Sequence, residues 1–306
     1  MIHEKLRPYL IFDYDNSRWI DEADMMGVIV GPGLRAIRTV DEMTKEYFDE
    51  LVWLLVAQMD SEYVGAYGYM PITFIAPKFS AHELKDVPAI VHDEFTHGNR
   101  IREILNHIGF DADKWVEDHQ SEYSFRLAQG QKFPVERPTN DCRVNIFYYD
   151  LVVPENDLTT WVNFGIFQLV QDRGAGEQIR DTLESSFGPL AYANRRTMSE
   201  ENRHIHHGDT WMAKLFAEYP VLVQNQLDTW WPRTLATFGK TESKRNDLWR
   251  KLGLKRRTNE EVLRAFLDRT DHPVGLQEAC KKIGLKIPST EDAVETWRRG
   301  DHLKFL

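Results

Sequence analysis

Two Glu-x-x-His motifs, Glu94 with His97 and Glu201 with His204, are the residues of this chain best suited to chemistry. At i, i+3 spacing a carboxylate and an imidazole share one face of a helix and can reach the same point. One acid precedes each motif on an otherwise apolar helical stripe: Glu62 before the first, Asp172 before the second. Glu62 and Glu94 are 32 residues apart, and Asp172 and Glu201 are 29 apart. Each separation is about one long helix, a turn and a return, so the paired acids can meet at one height. The chain therefore reads as two similar halves, each giving two acids and one histidine, the donor set of a di-metal carboxylate site inside a four-helix bundle. Four carboxylates would neutralise two divalent cations. Without metal, four buried acids would be costly and would have to take up protons. Oxygen-rich ligation with one imidazole per metal suits iron, or alternatively manganese, rather than a thiolate-rich zinc site. Neither cysteine, Cys142 or Cys280, is near either motif.

The elements that must position these donors are legible as helical periods. A first helix is expected from Asp41 to about Met70, stopped by Pro71, with Leu51, Leu55, Gln58, Glu62 and Gly65 on one face. A second is expected from an N-cap at Ser80, with Glu83 in the capping-box position, to Ile108. Its stripe is Val87, Val91, Glu94, His97, Ile101 and Leu105, and Pro88 either kinks it or moves its start nearer Asp86. Asp111–Leu127 reads as a further helix. Residues 128–155 read as a long excursion with a strand-like run at Val144, and such excursions are often lids or binding loops. Helical period returns from Asn156 to about Ser185, with Trp161, Gly165, Gln168, Asp172, Ala175 and Ile179 aligned. After Gly188-Pro189 it runs from Leu190 to Tyr219, with Asn194, Met198, Glu201, His204, Gly208, Trp211 and Leu215 aligned. The expected fold is all-α: a four-helix bundle over 41–219 with its insertion at 128–155. An N-terminal extension, 1–40, packs on it, and a helical extension follows over 220–306.

A lone Glu-x-x-His is common on solvated faces; two on apolar stripes, each with an in-stripe acid one hairpin away, are not. Glu83 and Glu184 read as solvated, and His206, pointing away from the stripe, as a surface or a hydrogen-bonding residue. Asp93 and Glu200 immediately precede the two motif glutamates, and either orient the opposite histidines through their free ring nitrogens or are solvated. His207, one turn beyond His204, is either an outer support of the site or a plain polar residue. The basic run Lys244, Arg245, Arg250, Lys251, Lys255, Arg256 and Arg257 either meets an anionic ligand or forms a solvated or subunit-contact face.

Composition narrows the class. The chain has 306 residues with 42% hydrophobic and 28% charged, an ordinary globular balance. Its net charge of -10 argues against nucleic acid as a partner. Two cysteines make no disulfide framework and point to a reducing cytoplasm. The N-terminal residues lack the apolar core of a signal peptide, and the longest apolar run, Leu51–Met59, is too short to span a bilayer.

The motifs Asp60-Ser-Glu-Tyr-Val-Gly, His92-Asp-Glu-Phe-Thr-His-Gly, Val170-Gln-Asp and Ser199-Glu-Glu-Asn-Arg-His carry a resemblance. With Trp230-Trp-Pro, Phe238-Gly, the run from Arg257 to Asp268 and Leu285-Lys-Ile-Pro, the sequence over most of 45–300 resembles the catalytic subunits of ring-1,2-phenylacetyl-CoA epoxidases, within the ferritin-like di-iron carboxylate oxygenases. The resemblance implies Glu62, Glu94, His97, Asp172, Glu201 and His204 as ligands of two irons. It implies dioxygen as co-substrate, ring epoxidation of an aryl-acyl-CoA, and electrons from NAD(P)H through a separate reductase. It also implies a related metal-free partner subunit, with a homo-oligomer as the alternative. The chain departs from the pattern in the excursion at 128–155 and in bulky Tyr63, Tyr67, Tyr69 and Phe95 beside the candidate ligands. Alternatives are a di-iron oxidase or hydroxylase on another aromatic or biosynthetic substrate, a ferroxidase-like iron binder, and a non-catalytic scaffold subunit, against which the six intact donors argue.

Overall fold

The computed structural model describes residues 11–13, 18–20, 30–31, 33–118, 151–153 and 156–300. The excursion at 128–155 lies outside these apart from 151–153, as do the strand-like run at Val144 and residues 119–127 of the expected helix from Asp111. Among the described residues the fold is an all-α bundle, with one small β element: β1 (Ile11–Asp13) pairs antiparallel with β2 (Arg18–Ile20).

Helix α1 (Lys45–Tyr69) begins where Thr44 accepts a hydrogen bond from the Tyr47 amide, satisfying a donor that the first turn would leave orphaned. Pro71 follows its end. Helix α2 (Glu83–His107) returns antiparallel to α1 and stops before Gly109, whose φ of +90° suits a residue without Cβ. The expected Ser80 cap is not used. The helix starts at Glu83 behind a His82 N-cap with no side-chain cap bond, and runs on through Pro88. Ser80 Oγ instead accepts from the His82 amide in the preceding turn. Residues 112–118 form a short helix.

The second hairpin is built differently. Helix α3 (residues 157–180) has three parts: α-helical Asp157–Phe167, a π-turn over Gln168–Asp172, and α-helical Arg173–Arg180. Helix α4 (Gly188–Glu218) starts with Pro189 in its first turn, where a missing N–H costs nothing. Beyond it come α5 (Pro220–Thr237), α6 (Lys244–Leu252), α7 (Asn259–Asp268), α8 (Leu276–Ile283) and α9 (Thr290–Arg299). No helix among the described residues is long and apolar enough to cross a membrane.

The core is in two parts with the polar motifs between them. One cluster joins Leu51, Leu55 and Met59 of α1 to Ile101, Ile104 and Leu105 of α2 and Leu190 of α4. The other joins Trp161, Phe164 and Phe167 of α3 to Met212 of α4, Trp230 of α5 and Phe266 and Trp297 of the C-terminal helices. Ionic contacts tie those C-terminal helices to α3: Arg257 meets Glu177 and Asp181, and Arg269 meets Glu177.

Candidate metal centre

Four helices each bring an acid into one buried polar cluster. Glu62 comes from α1, Glu94 and His97 from α2, Asp172 from the last residue of the π-turn in α3, and Glu201 and His204 from α4. All six are buried, and both histidines are fully enclosed. Ligand-type atoms of Glu62, Glu94, His97 and Glu201 lie within 4.8 Å of one another. His97 Nδ1 is 3.4 Å from Glu62 Oε2 and 3.3 Å from Glu201 Oε1. His204 Nδ1 is 3.2 Å from Glu94 Oε1 and 3.8 Å from Glu201 Oε2. Asp172 is held from one side, where the Tyr69 hydroxyl donates to its Oδ1 at 2.9 Å.

Each histidine is anchored by the opposite hairpin. His97 Nε2 donates to Glu200 Oε2 at 2.8 Å, and His204 Nε2 donates to Asp93 Oδ2 at 3.0 Å. An arginine backs each anchor. Arg100 bonds both Glu200 oxygens, at 2.5 and 2.9 Å, and its side chain is buried. Arg203 bonds Asp93 from an exposed position. Fixing the outer nitrogen in this way turns Nδ1 of each ring inward as an acceptor or ligand.

The inner atoms fit metal ions. Among the described residues no hydrogen bond of acceptable geometry reaches the buried atoms His97 Nδ1, His204 Nδ1 or Asp172 Oδ2. Buried polar atoms are rarely left so, and both ring nitrogens lie against the Glu201 carboxylate, which suits cations bound there. The electrostatics agree. Burial, then repulsion from Glu201, pushes the Asp172 carboxyl up to about 7. Burial likewise raises Glu94, with Glu201 and Glu62 adding to it and His204 opposing. Burial opposes protonation of His97 and His204, but the surrounding carboxylates outweigh it and raise both. Protons thus balance a site whose donors could otherwise be balanced by cations.

A cavity of about 270 Å³ opens beside these carboxylates. Glu62, Glu94, Asp172 and Glu201 form its floor, Leu54, Ile179 and Phe238 its apolar wall, and Trp53, Trp249, Arg245 and Lys255 lie around it. The guanidinium of Arg245 sits 4.0 Å from the Trp53 ring centroid. Ala175, expected on the inward stripe of α3, lines this opening and is exposed. The basic run divides accordingly. Arg257 is engaged by Glu177 and Asp181, while Arg245 and Lys255 border the cavity.

Several participants escaped the sequence reading. Tyr69 figured there only as bulk, Arg203 only as a letter of the last motif, and Arg100 not at all; only the fold shows what each one meets. Gln58 donates to Asn194 Oδ1 at 2.9 Å and reaches Glu62 Oε1 at 3.5 Å. Glu83 corrects an expectation: instead of being solvated it is buried, accepting from Trp211 Nε1 at 2.9 Å and from His207 Nε2 at 2.8 Å. The indole of Trp211 and the imidazole of His207 there replace water as its donors. His207 itself bridges Glu83 and Gln168 and touches none of the six donors, whereas His206 is exposed as expected.

No curated protein matches the chain. The phenylacetic acid catabolic protein family does, over residues 23–306. Nearly the whole length is covered, both helical hairpins and the polar cluster between them included, so the chain belongs to the phenylacetic acid catabolic protein family.

Proposed function

We propose that this chain is the catalytic subunit of a multicomponent, dioxygen-dependent di-iron monooxygenase that epoxidises the ring of an aryl-acyl-CoA such as phenylacetyl-CoA. The observation that carries this reading is the buried cluster in which Glu62, Glu94, His97 and Glu201 bring ligand-type atoms within 4.8 Å of one another, with Glu62, Glu94, Asp172 and Glu201 also lining an organic-sized cavity. Glu62, Glu94, His97, Asp172, Glu201 and His204 would hold the irons. Once bound and reduced, the metal pair supplies dioxygen reduction and oxygen-atom transfer to the ring. Electrons would come from NAD(P)H through a separate reductase.

The chain's own residues do the remaining work. Glu200 and Asp93 hold the outer ring nitrogens, so that the imidazoles present Nδ1 without rotating. The Tyr69 hydroxyl fixes one Asp172 oxygen and leaves the other for the metal. Leu54, Ile179 and Phe238 give the cavity an apolar wall against which an aromatic ring can pack above the carboxylates. A ferroxidase acting on iron alone needs no such wall, which favours an organic substrate.

The test is metal analysis followed by turnover. Anaerobic reconstitution should give about two irons per chain. With a flavin and iron–sulfur reductase, NADPH and the related subunit, phenylacetyl-CoA should be consumed with matching dioxygen uptake. Turnover of free aromatic acids in place of the thioester would move the assignment to another di-iron hydroxylase. Failure to take up iron would exclude both.

A further inference from the structure

The six donors leave one feature unexplained: the π-turn from which Asp172 projects. A π-turn adds one residue to a helix and is less favourable than the α-helix it interrupts. Relaxed to α geometry, the register would shift by one residue, and Asp172 would swing by about 100° around the axis. Something must hold the turn open.

Three consecutive residues of α4 meet it. His207 Nδ1 is 2.7 Å from Gln168 Oε1, the first residue of the turn, and its Nε2 is held by Glu83 at 2.8 Å. Gly208 lets the two helix backbones touch: a Cβ there would lie 2.7 Å from Gln168 Cβ and 2.9 Å from the Leu169 amide nitrogen. Asp209 accepts from Arg173 Nη2 at 2.8 Å, and the other arm of that guanidinium, Nη1, donates to the Leu169 carbonyl at 2.8 Å. The side chains of Arg173, Gln168 and Glu83 are all buried, so these bonds are largely shielded from water, with Asp209 the more open end.

We propose that His207, Gly208 and Asp209 form a clamp that holds the π-turn and so sets where the Asp172 carboxylate stands. They are positioning residues for the metal pair, with Glu83 as the backing of the clamp. The inference rests on the metal-centre reading. It assigns Asp172, not the four-residue group Glu62, Glu94, His97 and Glu201, as the part of the site that depends on the clamp.

Cobalt(II) titration of the full chain, followed by metal analysis, visible absorption and far-ultraviolet circular dichroism, tests it. Wild type should take about two cobalt ions. Gly208→Ala should keep the first and weaken the second about 10- to 100-fold, the scale of lost outer support at metal sites. Its spectrum should match that of Asp172→Asn, which a general loss of stability would not produce. Gly174→Ala lies on α3 close to Asp172, where a Cβ would meet only the rings of Phe238 at 3.4 Å and Phe266 at 3.9 Å, and should bind like wild type. If Gly208→Ala does not fold, Glu83→Gln decides, since it keeps shape and weakens only the grip on His207. A second cobalt bound with wild-type affinity and spectrum in the folded variant overturns the clamp and leaves the metal centre standing. No cobalt in wild type overturns both.

Discussion

In the α1–α2 hairpin both helices run through the polar layer as continuous 25-residue α-helices, whereas α3 of the second hairpin reaches it through a π-turn. The donors differ to match. Glu62, Glu94 and His97 form a tight group with Glu201 on regular helical faces, while Asp172 stands outside that group, steadied by Tyr69 from the end of α1. The anchors differ too: the arginine behind His97 is buried and doubly bonded, and the one behind His204 is exposed. A metal held by that tight group would thus be ligated by the first hairpin and α4 alone; a second, at Asp172, would depend on parts that must each be held. Two halves that look alike as motifs are unequal as scaffolds.

The most damaging change should be the one that removes what the two positions share. Glu201 lies near both inner ring nitrogens, so Glu201→Ala should abolish binding of both metals and all dioxygen-dependent turnover while leaving a helical protein; metal analysis with circular dichroism checks this. A single retained metal would show that the halves are independent. Next, Glu62→Gln and Asp172→Asn should differ in kind. The first should weaken the preformed position, and the second should leave about one metal bound in place of two. Equal losses in calorimetric titration would erase the distinction drawn here.

The arginines should rank below the ligands and unequally. Arg100→Met strands a carboxylate that burial would push up and that Arg100 and His97 hold low, at a cost of about 3 kcal/mol in denaturant unfolding and a 10- to 100-fold loss of metal affinity. Arg203→Met removes an exposed partner and should cost about 1 kcal/mol or less. The smallest effect is expected outside both hairpins. Burial in α8 pushes the Cys280 thiol up to about 12, so almost no thiolate exists at pH 8 in the folded protein. Peptide-level mass spectrometry should find Cys280 unalkylated at that pH and labelled only on unfolding. Because the folded thiol is held in its neutral form, raising pH from 7 toward 10 should favour the unfolded chain.

The regular half of this comparison was the legible half. Val87, Val91, Ile101 and Leu105 flank Glu94 and His97 at helical spacing, all buried, so periodicity alone placed that motif inward. The four-residue step from Gln168 to Asp172 fits an α-helix and a π-turn equally well, and what selects the latter is contact with α4, invisible in a linear pattern. Glu83 failed for a related reason. An acid near a helix start usually faces water, and only Trp211 and His207, more than a hundred positions away, make it a core residue. Asp93 and Glu200 were legible as candidates because of their place beside the motif glutamates, but their exchange between hairpins appears only in three dimensions.

That exchange has a consequence for which sequence changes the chain can absorb. Each anchor sits on the helix that does not carry the histidine it serves, so the reading frame of one helix is checked against the other. Deleting one residue between Asp93 and Arg100 would misplace a partner of His204 and the support of His97 in the same stroke. Length changes are therefore confined to stretches outside the helical pairs, and the two halves must keep step however freely their surfaces diverge.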